Sequence, residues 1–340
     1  MKPNIKMISE ITGFSSATVS NALNRKRGVH KETSERIFEV AKQCGYFGER
    51  RIDNITFVIF KASGLIVTET PFFASLIEGV EAEGRARGYN TNICSINKSD
   101  ADYRERLLDL SNNDTTAILL LATEMEEEDV KVLDTALAPI VILDNWFEDT
   151  FFNSVLINNV DSARKAVKHL VQNGHRKIGY LAGNTRIKNF CLREEGFLRA
   201  LADCGLECNP EFKFLLSTTP DKAYDDMLRV LEKKPSMPTA FFADNDIIAL
   251  GAMKAMQKHN IQMPEEISVV GFDNLPFSGL STPALTTIHV FKQEMGKEAV
   301  QLVLEQIKYN KNQIKMKIEI CTDLVERDSV AALSDKTKSK

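Results

Sequence analysis

The run Ser15-Ser16-Ala17-Thr18-Val19-Ser20-Asn21-Ala22-Leu23-Asn24 places Ser16, Ala17, Thr18, Ser20, Asn21 and Asn24 on one face of a predicted helix and Val19, Ala22 and Leu23 on the other. The outer face suits close-range contact with nucleic acid. Hydroxyls reach phosphate oxygens, an amide can pair with adenine, and an Ala methyl can touch a thymine methyl. The elements that must position this face lie on either side. Ile8 and Ile11 predict the inner face of a first helix, Gly13 a tight turn, and Ser15 the N-cap of the second helix. A third helix is predicted from about Lys31 to Cys44, with Ile37, Val40, Ala41 and Cys44 at helical spacing before Gly45. The pattern reads as a helix-turn-helix, and with it DNA binding.

Charge agrees with that reading. Residues 1–51 carry ten Lys and Arg against five Asp and Glu, a net of +5, so the remainder must carry −9 to give the overall −4. The loop Arg25-Lys26-Arg27 lies in this basic end, and Arg25 and Lys26 are expected on DNA phosphates. An acidic or neutral body attached to a basic module is the charge distribution of a DNA-binding regulator.

At 340 residues the chain is long enough for such a module and a two-lobed body. From Ile55 onward, β-rich runs alternate with amphipathic helical segments. Strands are predicted at Ile55 to Phe60, Tyr89 to Cys94, Ala117 to Leu121, Ile140 to Leu143, Lys177 to Leu181, Phe212 to Leu216, Ala240 to Ala243 and Ser268 to Phe272. The fold class expected is therefore an all-α headpiece followed by an α/β core with two parallel sheets, with residues 154–158 as a crossing point between halves. The expected boundaries are headpiece 1–50, linker 51–54, core 55–332 and a polar, disordered tail 333–340. No apolar stretch is long enough to span a bilayer and the N-terminus lacks a signal-peptide core, so a cytoplasmic protein without a membrane partner is expected.

Other chemistries find less support. Six cysteines lie without metal-ligand spacing and are expected as reduced thiols. His175 lies in a Gly-His-Arg turn and is read as structural, and the acidic run from Glu124 to Asp129 as a solvated helix N-terminus. There is neither a phosphate-binding glycine loop nor a zinc spacing, so neither catalysis, nor a metal, nor a cofactor is expected.

Several motifs in order resemble the lactose-repressor (LacI/GalR) family of bacterial transcription regulators. They are Ser15 to Asn24, Pro71-Phe72-Phe73 with Ile77-Glu78-Gly79-Val80-Glu81, Asn173-Gly174-His175-Arg176-Lys177-Ile178-Gly179, Asn245-Asp246 before Ala249-Leu250-Gly251-Ala252, Ser268 to Asn274, and Thr282 to Ile288. The resemblance implies a homodimer on double-stranded operator DNA. Each subunit would carry a headpiece and a periplasmic-binding-protein-like core holding a small effector between its lobes. It places Ser16, Ala17 and Asn21 toward base edges and Ser15, Thr18, Ser20, Asn24, His30 and Thr33 near phosphates. In the core it places Arg193, Asn245 and Asp273 on the effector, with Phe72, Phe73 and Trp146 as candidates for an aromatic wall. It also implies that the chain after Ile288 returns first to the N-terminal lobe and then to the other.

That residue set suits a sugar. A forked Arg, an amide and a carboxylate can together satisfy vicinal hydroxyls, while an aromatic ring covers the apolar face of a pyranose. The function expected is a repressor of carbohydrate genes. The alternatives are a purine- or nucleoside-responsive regulator and a transporter-associated solute-binding protein. In one respect the chain departs from the family, whose linker usually holds a hinge helix with an Ala-x-x-Leu motif. Here only the eight residues from Phe47 to Asn54, reaching roughly 26 Å when extended, separate Tyr46 from the first core strand.

Overall fold

The computed structural model describes residues 3–23, 28–44, 46, 52–67, 71–309 and 314–333. Asn24, Arg25 and Lys26, residues 47–51, which include the first of the expected linker, and residues 334–340 of the expected tail lie outside them.

Three helices form the headpiece: α1 (Ile5–Thr12), α2 (Ser16–Leu23) and α3 (Lys31–Gln43). Local hydrogen bonds explain their limits. Asn4 Oδ1 accepts the Met7 N–H at 2.9 Å to start α1, and Gly13, at φ 76°, returns its N–H to the Ser9 carbonyl to end it. Ile8, Val19, Ala22, Ile37 and Ala41 make the small core. Ile11, expected beside Ile8, is instead 51 % exposed. Three residues on, the helix has turned about 300°, and the inner position passes to Thr12, whose hydroxyl closes on the Ile8 carbonyl at 2.7 Å.

The core begins with β1 (Asn54–Lys61), α4 (Phe72–Ala86), β2 (Asn90–Asn97), α5 (Tyr103–Ser111), β3 (Thr116–Leu121), α6 (Glu127–Val130), β4 (Ile140–Leu143) and β5 (Asn153–Ile157). The second half follows with α7 (Asn159–Gln172), β6 (Ile178–Gly183), α8 (Lys188–Asp203), β7 (Lys213–Leu216), α9 (Pro220–Glu232), β8 (Ala240–Ala243), α10 (Asp246–Lys258), β9 (Ser268–Asp273) and β10 (Thr286–His289). Last come α11 (Lys292–Tyr309), β11 (Lys317–Ile320) and β12 (Asp323–Val325).

These strands make two six-stranded sheets, β11-β5-β4-β3-β1-β2 and β12-β10-β9-β8-β6-β7, so the two lobes share one strand order. Every pairing is parallel except that of β12 with β10. Fully buried apolar strands such as β3 and β4 follow from helices covering both faces. The chain crosses between lobes after β5, after β10 and again between β11 and β12, as the resemblance implied. Residues 154–158 are thus mostly strand β5, placed just before the first crossing.

One crossing helix ties the lobes together closely. Helix α11 leaves the second lobe and packs on α4 of the first, where the two backbones nearly touch. A Cβ on Gly79 would lie 2.1 Å from the Gln293 carbonyl, and one on Gly296 would lie 2.4 Å from that of Leu76. Two boundaries also shift. Ile52, expected in the linker, is buried in the core cluster, and the Asp53 N–H reaches the Thr115 carbonyl at 2.9 Å, so the core starts by residue 52. Leu333, expected in the tail, donates its N–H to the Asn173 carbonyl at 2.8 Å.

Candidate functional site

In the headpiece, Ser15 Oγ accepts the Thr18 N–H at 3.0 Å and meets Thr18 Oγ1 at 2.8 Å, which caps α2 and fixes its direction. Ser15, Ser16, Ala17, Asn21 and His30 are exposed, while Thr18, Ser20 and Thr33 are half-buried. Val19 and Ala22 anchor the opposite face. The exposed strip on α2 is therefore short, small and rigidly based, with dimensions that a major groove admits.

In the core, Phe72, Phe73, Arg193, Asn245 and Asp273 come together on one narrow cavity between the lobes. Ile66, Thr123, Asp144 and Ile157 of the first half line it too, with Ile187, Asn189 and Phe190 of the second. Phe72 and Phe73 open α4, their rings edge-to-face at 5.0 Å between centroids. Asn245 caps α10, its side-chain oxygen accepting the Ile248 N–H at 3.0 Å.

Arg193 is held on every side. Its Nε donates to Asn159 Oδ1 at 2.8 Å and its Nη1 to the Asp244 carbonyl at 2.6 Å, its Nη2 lies 3.4 Å from Asp273 Oδ1, and its plane lies 3.7 Å from the centre of the Phe272 ring. Such a fork, buried and stacked, is rigid. Lys292, also buried, donates to the Asp273 carbonyl and stands 5.4 Å from the Phe72 ring centre.

Sequence reasoning missed Asp144. It follows β4 as Asp273 ends β9, and these two strands occupy equivalent places in the two sheets. Both residues have left-handed backbones, at φ 64° and φ 109°, a conformation that a non-glycine residue adopts at a cost. Asp144 Oδ2 accepts the Thr123 hydroxyl at 2.7 Å. Among the described residues its other oxygen is buried without a hydrogen-bond partner, and Oδ1 of Asp273 has only Arg193 Nη2 at 3.4 Å. Burial pushes Asp144 up to about 6 and also raises Asp273, against the pull of Arg193 on both. An acid at the end of the fourth strand of each half was the signal available in the sequence.

Trp146 does not stand among the residues lining this cavity. The Lys188 and Lys317 ammonium groups flank its ring at 4.0 and 3.7 Å from the centroid, and its carbonyl accepts from Lys188 Nζ at 2.7 Å. Cation–π contacts with residues from α8 and β11 hold it at the lobe junction instead. The acidic run is likewise not a merely solvated helix end. Glu124 and Asp129 are buried, and Asp129 accepts from Lys98 Nζ at 2.9 Å and Tyr103 Oη at 3.1 Å. His175 is structural as expected. Buried, and with its pKa lowered by that burial, it sits 3.0 Å from Thr239 Oγ1 and 3.1 Å from the Ala331 carbonyl. All six cysteines are free.

Comparison with known proteins places this architecture. A profile described as bacterial regulatory proteins of the lacI family matches residues 4–48, and one described as a periplasmic binding protein-like domain matches residues 167–330. The HTH-type transcriptional repressor PurR of Mannheimia succiniciproducens is 32% identical over 333 residues, covering 97% of this chain and 99% of that protein. Its counterpart in Haemophilus influenzae is 30% identical over 334 residues, with the same coverage. Among solved structures, the transcriptional regulator CelR in complex with cellobiose superposes with a TM-score of 0.73 at 24% identity, covering 96% of this chain and all of that one. The lac repressor dimer bound to operator and an anti-inducer gives 0.69 at 22% identity, covering 98% and 100%. The headpiece, the two-sheet core and these relatives together show that the chain belongs to the lacI family of bacterial regulatory proteins and is a DNA-binding transcriptional repressor.

Proposed function

We propose that the repressor is controlled by a neutral, hydroxyl-rich carbohydrate held in the interlobe cleft, and that it governs carbohydrate genes. The observation that carries this reading is the buried oxygen Asp144 Oδ1, which has no hydrogen-bond partner among the described residues, on the same cavity as Asp273, whose Oδ1 has only the 3.4 Å ion pair with Arg193. A carboxylate oxygen only accepts, so Asp144 Oδ1 calls for a donor from the ligand and Asp273 can accept a better-placed one, and unmet partners in such a place are costly. A sugar carries donors around its whole rim and can answer both walls at once. The cleft's forked cation is already engaged by Asn159, Asp244 and Asp273, which leaves the acceptor edge of a purine without that donor. Phe72 and Phe73 supply an apolar surface for one face of the ring.

A purine-responsive repressor is the second reading, favoured by the name PurR borne by relatives at 30 to 32% identity. Isothermal titration of the full chain with a panel of neutral sugars and with hypoxanthine, guanine and adenosine separates the two. Heat from a sugar that is lost in Asp273→Ala supports the carbohydrate reading; micromolar purine binding with a silent sugar panel replaces it.

At the DNA, the reading is a homodimer that sets two copies of α2 into successive major grooves of a near-palindromic operator. Ser16, Ala17 and Asn21 face base edges, and Ser15, Thr18, Ser20, His30 and Thr33 lie near phosphates, with Asn24, Arg25 and Lys26 completing the contact. Among the described residues no helix is long and apolar enough to cross a membrane, and the protein works in the cytoplasm beside its operator. Neither catalysis nor a cofactor beyond the effector belongs to this reading.

A further inference from the structure

Just beyond β3, Glu124 is buried and forms no ion pair among the described residues. Its carboxylate is instead wrapped by the loop that follows β1. Oε2 accepts the N–H groups of Ala62, Ser63 and Gly64 at 2.9, 2.7 and 2.9 Å and the Ser63 hydroxyl at 3.2 Å, and Oε1 accepts those of Ile66 and Val67 at 3.0 and 3.3 Å. Burial by itself would raise the pKa of this group; the backbone donors of Gly64, Ser63, Ile66 and Val67 outweigh it and hold the carboxyl below its ordinary value. The loop is thus fastened to the first lobe through its own backbone.

Its two buried apolar residues then part. Val67 packs in the cluster that holds Phe72, Phe73 and Ile55. Ile66 enters a different cluster, whose other buried members, among them Leu181, Ile187, Phe190 and Leu285, all belong to the second lobe. Ile66, Ile187 and Phe190 also line the inner cavity. A wider outer cavity, with Glu148 on the first lobe and Cys191 on the second, shares Thr123 and Ile187 with the inner one. Ile187, which lines both cavities, thus shares its apolar cluster with Ile66.

We propose that residues 62–67 form a latch between the lobes: Glu124 ties the loop to one lobe, Ile66 plugs it into the other, and the strength of that plug sets how often the cleft opens. Its part in effector release rests on the cleft reading above, but opening itself is measured without any ligand, so the two can fail separately.

The test places spin labels on Cys191 and on Glu148→Cys of the full chain, with the remaining cysteines replaced by Ser, and reads the distance across the outer cavity by pulsed electron resonance. Ile66→Ala should raise the long-distance population about tenfold or more, and Ile66→Val should restore the short one. Glu124→Gln should open the cleft as Ile66→Ala does and also speed amide exchange at residues 63–67, which Ile66→Ala leaves slow. A distance distribution unchanged by Ile66→Ala overturns the latch. Should Glu124→Gln fail to fold, the two Ile66 variants decide alone.

Discussion

In the headpiece the side chains proposed to meet DNA are mostly exposed, on a helix whose direction is set by one cap three residues away. In the core the groups proposed to meet the effector are nearly all buried, and the central one, Arg193, is held by partners far along the chain, Asn159, Asp244 and Asp273. The difference follows from the ligands. A phosphate backbone and base edges can be read by small groups that remain in water until contact, whereas a small neutral molecule yields enough free energy only in a dry site whose polar groups are already aimed. Removing a paired, buried group of the core should therefore cost fold stability, whereas removing an exposed group of α2 that caps nothing should cost recognition alone.

The largest effect expected is that of Arg193→Ala. It leaves Asp273 buried without its cation and Asn159 without a donor, and should lower stability by about 3–5 kcal/mol in urea unfolding. A loss below 1 kcal/mol would mean that the core site is as loosely built as the headpiece surface.

Next comes Asp144, whose value of about 6 lies above the ordinary carboxyl. The unfolded chain gives up this proton at lower pH than the fold does, so the group's contribution to stability is present in acid and is lost as pH rises through about 4 to 6. Asp144→Asn should accordingly stabilise the free protein at pH 7 by about 1–3 kcal/mol while removing effector binding. Ligand hydroxyls favour the charged carboxylate, so effector affinity in the unsubstituted protein should climb with pH, by at most about tenfold per unit for one proton, and level off above pH 6. Titration calorimetry from pH 5 to 8 reads both the slope and the proton released. A flat profile would detach Asp144 from the ligand.

On the headpiece side, Asn21→Ala should weaken operator binding by about 1–3 kcal/mol and leave binding to random DNA nearly unchanged. Equal losses on both in gel-shift titrations would make Asn21 a backbone contact. The smallest effect is that of Ser15→Ala, which removes the cap of α2 and should cost the headpiece about 1 kcal/mol, seen as faster exchange of the Thr18 amide with the melting of the core unmoved.

Much of the fold was legible because its signals are local. Asn245 and Ser15 cap helices from the position directly before them, Val19 and Ala22 keep helical spacing, and the eight predicted strands have ends within three residues of those of β1 to β4 and β6 to β9. The four left unassigned as strands, β5, β10, β11 and β12, are three to five residues long. Two of them, β11 and β12, are edge strands whose sequences, Lys-Ile-Glu-Ile and Asp-Leu-Val, become strands by pairing with a neighbour. Likewise Phe72, Phe73, Arg193, Asn245 and Asp273 were legible as motif residues, and one cavity gathers them.

Trp146, Asp144 and Glu124 show what lay beyond reach. Whether an indole faces a cavity or is gripped between Lys188 and Lys317 depends on where α8 and β11 bring their ammonium groups. Whether an acid is solvated, tied to a loop or left with one bare oxygen depends on every donor within hydrogen-bonding reach in space. Sequence by itself determined the helices, most strands, the basic headpiece and the residue types available for recognition, because spacing, capping and charge act over a few residues. The tertiary structure alone decided which of those residues share a wall, since burial and hydrogen-bond satisfaction are set by partners the chain brings back from afar, here after crossing three times between its lobes.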